Sequence, residues 1–263
     1  MDLGLKGRVA AVAAASRGLG RATALALSRE GCTVAVCGRD PKKIRASAEF
    51  IEHETGGRVL AVTADVSLRA DCERFIGETV SAFGRLDILV TNTGGPPAGN
   101  FEATEGVEWD RAFSGLLSNV VNLVRAAAPH MKQAKWGRIL NIASLSVKQP
   151  IDNLVLSNTF RPAIAGLSKS LSKELGPHGI LVNTLCPGYT RTDRLEELAD
   201  ERVKRAGITT DQYYESLGKV VPLGRIAEPE EFANVAAFLC SERASYVSGI
   251  ALAVDGGASV GLA

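Results

Sequence analysis

Ser16-Arg17-Gly18-Leu19-Gly20 is the first stretch of this chain whose residue types suit binding rather than packing. It follows an apolar run, Arg8–Ala14, and opens a helix-patterned stretch, Leu19–Glu30. Glycines at such a junction let the backbone approach a diphosphate, whose charge then rests on the helix N-terminus. The plain structural reading is a tight turn with nothing bound. Against it stand the Gly-rich and polar ends of later apolar runs, above all Thr93-Gly94-Gly95-Pro96-Pro97-Ala98-Gly99. The second apolar run ends in Cys37-Gly38-Arg39. An acidic residue at that point would bind a free ribose 2′-hydroxyl and repel a 2′-phosphate. Arg39, with Arg17 projecting from the glycine turn toward the same place, instead offers two guanidiniums to one phosphate dianion. Asp40 is the competing feature, since its carboxylate could pair with one of these arginines.

The elements that must position these residues are legible in the hydrophobic pattern. Seven short apolar runs occur: Arg8–Ala14, Thr33–Cys37, Val59–Thr63, Leu86–Thr91, Arg138–Ala143, Ile180–Leu185 and Ile250–Val254. They are nearly continuous rather than alternating, as parallel strands covered on both faces are. Helical patterns separate them, among them Leu19–Glu30, Lys42–Glu54, Arg69–Phe83 and Ala163–Leu175. Strand and helix in alternation predict one doubly wound α/β domain over residues 1–263, with a seven-stranded parallel sheet in the order 3-2-1-4-5-6-7. Arg191–Val221, charged and Leu-spaced, reads as an insertion of one or two amphipathic helices covering the cleft. Tyr213-Tyr214 lies within it, lining the cleft or covering the core.

Composition removes several classes. Thirty basic and 29 acidic side chains give a formal charge of +1, which leaves no footprint for nucleic acid or an anionic membrane. No apolar run approaches the roughly 18 residues of a membrane span. The five cysteines are odd in number and lack C-x-x-C spacing, so they read as buried reduced thiols in a cytoplasmic protein. The opening residues carry no cleavable leader pattern. His53, His130 and His178 stand singly, without metal-ligand spacing. Lys42-Lys43 and Arg202–Arg205 read as solvated helix faces.

Further motifs follow the glycine turn in order: Asp65-Val66, Asn92-Thr93-Gly94, Asn141-Ile142-Ala143-Ser144, Pro187-Gly188 through Thr192, Pro222-Leu223-Gly224-Arg225, Pro229-Glu230-Glu231 and Val254-Asp255-Gly256-Gly257. With these, nearly the whole chain resembles the short-chain dehydrogenase/reductases, and within them the 3-oxoacyl-acyl carrier protein reductases. The resemblance implies a nicotinamide dinucleotide, and the arginines favour NADP(H) over NAD(H). It implies that Ser16, Arg17, Gly18, Leu19 and Arg39 hold its phosphates, that Asp65 and Val66 contact the adenine, and that Asn92 and Gly94 contact the adenosine ribose. Pro187 and Gly188 lead to Thr192, which is expected at the nicotinamide carboxamide. A small carbonyl or alcohol substrate and a homotetramer are implied as well.

Departures from the family pattern are as informative. Ala13 and Ala14 replace the usual Thr and first Gly of the turn, and an alanine held at negative φ would reshape it. Of the family's Asn–Ser–Tyr–Lys set, Ser144 is kept, while Leu116, Ser157 and Arg161 stand at the Asn, Tyr and Lys positions. A serine hydroxyl is a far weaker acid than a phenol, and arginine keeps its protons to above pH ~12. Arg161 can still bind the cofactor ribose or stabilise an oxyanion. Pro162 predicts a helix that starts late, near Arg161, or kinks there. Tyr189 and Lys148 are the nearest substitute proton donors in sequence. Two readings follow: an NADP(H)-dependent oxidoreductase with catalytic residues Ser144, Ser157 and Arg161, or a nucleotide-binding protein without turnover that acts as cofactor sensor or interaction partner.

Overall fold

In the computed structural model, residues 1–193, 195–196, 199, 203 and 207–261 are described. The apolar runs form strands β1 (Val9–Val12), β2 (Thr33–Gly38), β3 (Val59–Thr63), β4 (Ile88–Thr91), β5 (Gly137–Ile142), β6 (Ile180–Pro187) and β7 (Ala251–Val254). They make one seven-stranded sheet in the expected order 3-2-1-4-5-6-7, every neighbouring pair parallel. The continuity of the runs has its cause in the packing. Val12, Val34, Val36, Ile88 and Val90 face one core layer, with Leu27 and Phe232. Val9, Ala11, Ala35 and Leu89 face the other, with Phe75, Ile76 and Leu123. Neither face of the central strands meets water, so neither can be polar.

Helices α1 (Gly18–Arg29), α2 (Pro41–Thr55), α3 (Arg69–Phe83), α4 (Gly106–Ala112), α5 (Asn119–Ala134) and α6 (Val155–Leu175) connect the strands. Between α4 and α5 the backbone takes a π-helical turn, Phe113–Ser118, which carries Leu116. The expected late start at Pro162 is not found: α6 begins at Val155 and runs through the proline. Tertiary contacts outweigh the lost backbone hydrogen bond. The Ser168 hydroxyl ties α6 to the sheet, accepting from Asn141 Nδ2 at 2.7 Å and from Thr184 Oγ1 at 2.8 Å.

Within Arg191–Val221, α7 (Thr210–Lys219) starts at a reciprocal cap between Thr209 and Gln212. Leu195, Ala199, Tyr213, Tyr214, Leu217 and Ile226 form a small core separate from the two around the sheet. Both tyrosines are buried there. Arg202, Lys204 and Arg205 lie outside the described residues. Helix α8 (Pro229–Cys240) then leads to β7. Among the described residues no helix is long and apolar enough to cross a membrane. All five cysteines are buried free thiols.

Candidate active site

The parallel sheet brings the carboxyl ends of its strands to one edge, where the order reverses between β1 and β4. The glycine turn lies there. It is fixed to both flanking strands, Ala13 N–H donating to Val90 O at 3.0 Å and Ala15 N–H to Cys37 O at 2.9 Å. Asn92 Nδ2 donates to Ala14 O at 3.2 Å. Held this way, Ala14 takes φ +47°, the left-handed conformation. The expectation of negative φ at this alanine is therefore wrong, because the bonds on either side set the backbone and outweigh the residue's own preference. Gly18 has φ +58°. At Gly20 a Cβ would lie 2.5 Å from Ala14 O and 2.8 Å from Asn92 Nδ2, so only glycine fits.

Helix α1 follows Arg17, which supplies no side-chain cap, and has no acidic residue in its first turn. Among the described residues no side chain accepts from its leading amides. This cradle fits a dinucleotide diphosphate, which would take those N–H groups and the positive helix end.

The end of β2 carries the residues read for cofactor choice. A Cβ at Gly38 would run into Ser16 Oγ, so the residue that could carry a carboxylate is displaced by a hydroxyl. Arg39 is exposed at the end of β2. Asp40 pairs with no arginine among the described residues: one carboxylate oxygen accepts from Lys42 N–H at 2.9 Å and Lys43 N–H at 3.1 Å, capping α2. Arg17 bonds Asp193 at 3.0 Å, a partner that the sequence reading missed. Its only signal was an acidic residue directly after Thr192. Thr192 itself packs 3.7 Å from the Cβ position of Gly18, and its hydroxyl accepts from Leu195 N–H at 3.3 Å.

Asp65 and Val66 follow β3, and Asp65 Oδ1 accepts from Ser67 N–H at 3.0 Å and Ser67 Oγ at 2.8 Å. Gly94 has open space where a side chain would be. Pro187 ends β6, paired with Val254 of β7. Gly188 sits so close to Asp255 that a Cβ would fall 2.6 Å from its Cα.

The residues at the carboxyl end of β5 form a compact hydroxyl cluster. Ser144 Oγ accepts from Ser146 N–H at 3.2 Å, and Ser146 Oγ lies 2.9 Å from Ser157 Oγ. Arg161 donates from Nη1 to Ala143 O at 2.6 Å and to Ile142 O at 3.4 Å. Ser157 and Arg161 share a face of α6, but they are only 4% and 7% exposed. Ser146, which the sequence reading did not single out, links the two segments. Leu116 packs with Ala112 and Leu156. Tyr189 packs against the core of the 191–221 segment. Cys186, at the end of β6, has its thiol pushed up to about 11 by burial, against the opposing pull of the Lys148 charge and a backbone bond from Ser144.

Residues 13–259 match the family described as enoyl-(acyl carrier protein) reductase. A 3-oxoacyl-[acyl-carrier-protein] reductase of Aquifex aeolicus is 33% identical, covering 98% of this chain and 99% of that one. An NADPH-dependent reductase, BacG, of Bacillus subtilis is 30% identical over 95% of this chain and 97% of its own length. Among solved structures, L-sorbose reductase from Gluconobacter frateurii, complexed with NADPH and L-sorbose, superposes with a TM-score of 0.96 at 32% identity and full coverage of both chains. Sequence, fold and the diphosphate cradle agree, and the chain belongs to the short-chain dehydrogenase/reductase superfamily of oxidoreductases.

Proposed function

We propose that this chain is an NADP(H)-dependent oxidoreductase that transfers hydride between the nicotinamide and a small carbonyl or alcohol substrate, 3-oxoacyl thioesters among the candidates. The observation that carries this reading is the uncapped N-terminus of α1 behind a turn in which Ala14 has adopted a glycine's conformation. That turn is costly to keep unless a ligand uses it. When bound, the cofactor supplies or accepts a hydride at its nicotinamide ring.

The chain's own residues have the following roles in this reading. Ser16, Arg17, Gly18 and Leu19 hold the phosphates, and Arg39 adds charge at the 2′ position. Asp65, Val66, Asn92 and Gly94 line the adenosine half; Pro187, Gly188 and Thr192 line the nicotinamide half. Ser144 orients the substrate oxygen. Arg161 acts on the site by holding the Ile142 and Ala143 carbonyls, and Ser157 by holding Ser146. Both thereby position Ser144. The described residues of the segment 191–221 cover the cleft.

The preference for NADP(H) is supported by the missing carboxylate at Gly38, by the engagement of Asp40 in capping α2, and by the NADPH named for BacG and in the sorbose reductase complex. A homotetramer is supported by exposed apolar side chains, among them Phe101, Phe113, Tyr246 and Leu252.

A second reading, a nucleotide-binding protein without turnover, draws on the burial and engagement of Ser157 and Arg161. One experiment separates the two. Fluorescence titration with NADPH and NADH measures binding, and incubation with NADPH and a panel of 3-oxoacyl thioesters, quinones and sugars measures turnover. Tighter binding of NADPH, with consumption of it by at least one carbonyl, is expected. Binding without consumption across the panel supports the second reading, and tighter binding of NADH defeats the arginine argument.

A further inference from the structure

Ser144 and the residues proposed for the nicotinamide half, Pro187 and Gly188, stand at the carboxyl ends of neighbouring strands, β5 and β6. A carbonyl held by one and a cofactor held beside the other react only while the two loops keep one spacing. We infer that Gln149 is a positioning residue that keeps it, by tying the Ser144 turn to the Asp255–Val260 turn that packs on Gly188. This role rests on the reading of the chain as a carbonyl reductase with Ser144 at the substrate oxygen.

On the β5 side, Ser144 opens the 3₁₀ turn Leu145–Val147. Val147 N–H donates to Ser144 O at 3.0 Å, while Lys148 and Gln149 N–H both donate to Leu145 O, at 2.8 and 3.1 Å. The start of the turn is held by Arg161 on Ala143 O and by Ser157 on Ser146. Beyond Pro150, Asn158 holds Ile151 through its N–H at 3.0 Å and its carbonyl at 2.9 Å. Gln149 lies between these anchors, half-buried, and its Oε1 accepts from Val260 N–H at 3.0 Å.

On the β6 side, Gly188 N–H donates to Val254 O at 2.9 Å, and a Cβ on Gly188 would fall 2.6 Å from Asp255 Cα. Asp255 closes the next turn with its own carboxylate, which accepts from Gly257 N–H at 3.0 Å, Ser259 N–H at 2.8 Å and Ser259 Oγ at 2.7 Å. The turn is also braced against the end of the 191–221 segment. Cβ atoms on Gly256 and Gly257 would fall 2.7 Å from Val221 Cγ1 and 3.3 Å from Pro222 Cγ. Val260 follows with its side chain exposed, so its backbone N–H is what it contributes. Gln149 thus joins the turn that carries Ser144 to a segment seated on Gly188. Because Asn158, Ser157 and Arg161 hold the rest of the β5–α6 loop, losing this bond should loosen residues 145–149 without unfolding the chain.

The test removes the bond from each side in the full chain. Gln149→Met deletes the acceptor, Val260→Pro deletes the N–H, and Val260→Ala keeps it. NADPH affinity is read by fluorescence, carbonyl reduction as kcat and KM, and loop order by hydrogen exchange at the amides of Val147, Lys148 and residue 149. Expected in Gln149→Met and Val260→Pro is a fall in kcat of about 10–100-fold, the scale of a reacting group displaced by up to about 1 Å. Exchange at the three amides should quicken, NADPH affinity should stay within about threefold, and Val260→Ala should match the parent. The double variant should be no slower than the slower single, to within about twofold, since both remove one bond. Single effects that multiply in the double variant would overturn the inference, as would a loss confined to KM. Unaltered exchange in the variants would overturn it as well, and so would faster exchange with unchanged kcat, which makes the bond structural only. If the unmodified chain binds NADPH but reduces no carbonyl, the oxidoreductase reading itself has failed and this inference falls with it.

Discussion

Replacing Ala14 by glycine should stabilise the protein, although it removes a methyl group from the binding turn. Ala14 has φ +47°, a conformation that costs an L-residue roughly 1–2 kcal/mol. Glycine relieves that cost but has about 0.4–1 kcal/mol more conformational freedom to lose from the unfolded chain. Ala14 is only half-buried, so its methyl contributes less than the ~0.8 kcal/mol of a fully buried group. The balance is a net gain of about 0.5 kcal/mol, or roughly 1–2 °C in Tm for a domain of this size. Ala14→Val must go the other way, since a β-branched residue is still worse at positive φ. Urea unfolding of the three proteins at fixed concentration, with cofactor absent, gives the order Gly above Ala above Val. NADPH affinity of the glycine variant should match that of the original, because the backbone already has the shape glycine prefers. A lower urea midpoint for Ala14→Gly would refute the reasoning, and so would a weakened grip on NADPH, which would mean that the methyl, not the backbone, matters.

Gly38→Asp, with the Ser16 hydroxyl turning aside to admit its Cβ, should place a carboxylate beside Arg39, weaken NADPH by at least about tenfold and favour NADH, as fluorescence titration will show. Arg161→Met removes a charged hydrogen bond of 2.6 Å from a buried carbonyl, and should cost about 1.5–3 kcal/mol in urea unfolding. In the native protein no cysteine should react quickly with an aromatic disulfide at pH 8. Burial raises Cys32 and Cys37 to about 12 and Cys72 to about 11. Their contribution to stability is complete below the unfolded thiol value of about 8.5 and declines as pH rises above it, because unfolded thiols ionise first. Glu231 behaves oppositely. The Arg225 guanidinium, paired with both its oxygens at 2.7 Å, holds its carboxyl down to about 2. Its contribution is present above about pH 4.3 and lost as the pH falls toward 2, so the Tm values of Glu231→Gln and the parent should converge in acid.

The fold was legible because its determinants are local and repeated. Seven apolar runs, each too continuous for a half-exposed strand, leave few arrangements other than a parallel sheet with helices on both faces. The glycine turn was legible for the same reason, as a short motif at a fixed junction. The late start read from Pro162 is not found because proline's cost is a local quantity, whereas α6 is held by Ser168 against Asn141 and Thr184, on strands that only the folded chain brings near. Ala14 misled likewise: its φ is set by bonds from its neighbours to Val90 and Cys37, both distant in sequence.

Sequence by itself determined the order of strands and helices, the glycine turn and the identities at the four family positions, because spacing and residue type are written in one dimension. Tertiary structure alone decided which groups those side chains meet. It gave Asp40 to the end of α2, Arg17 to Asp193, Ser157 to Ser146 and Arg161 to Ala143. Apart from the cap at Asp40, these engagements join separate elements of the fold. A hydrogen bond is satisfied by geometry, and geometry of this range exists only after the sheet has closed and α6 has docked on it.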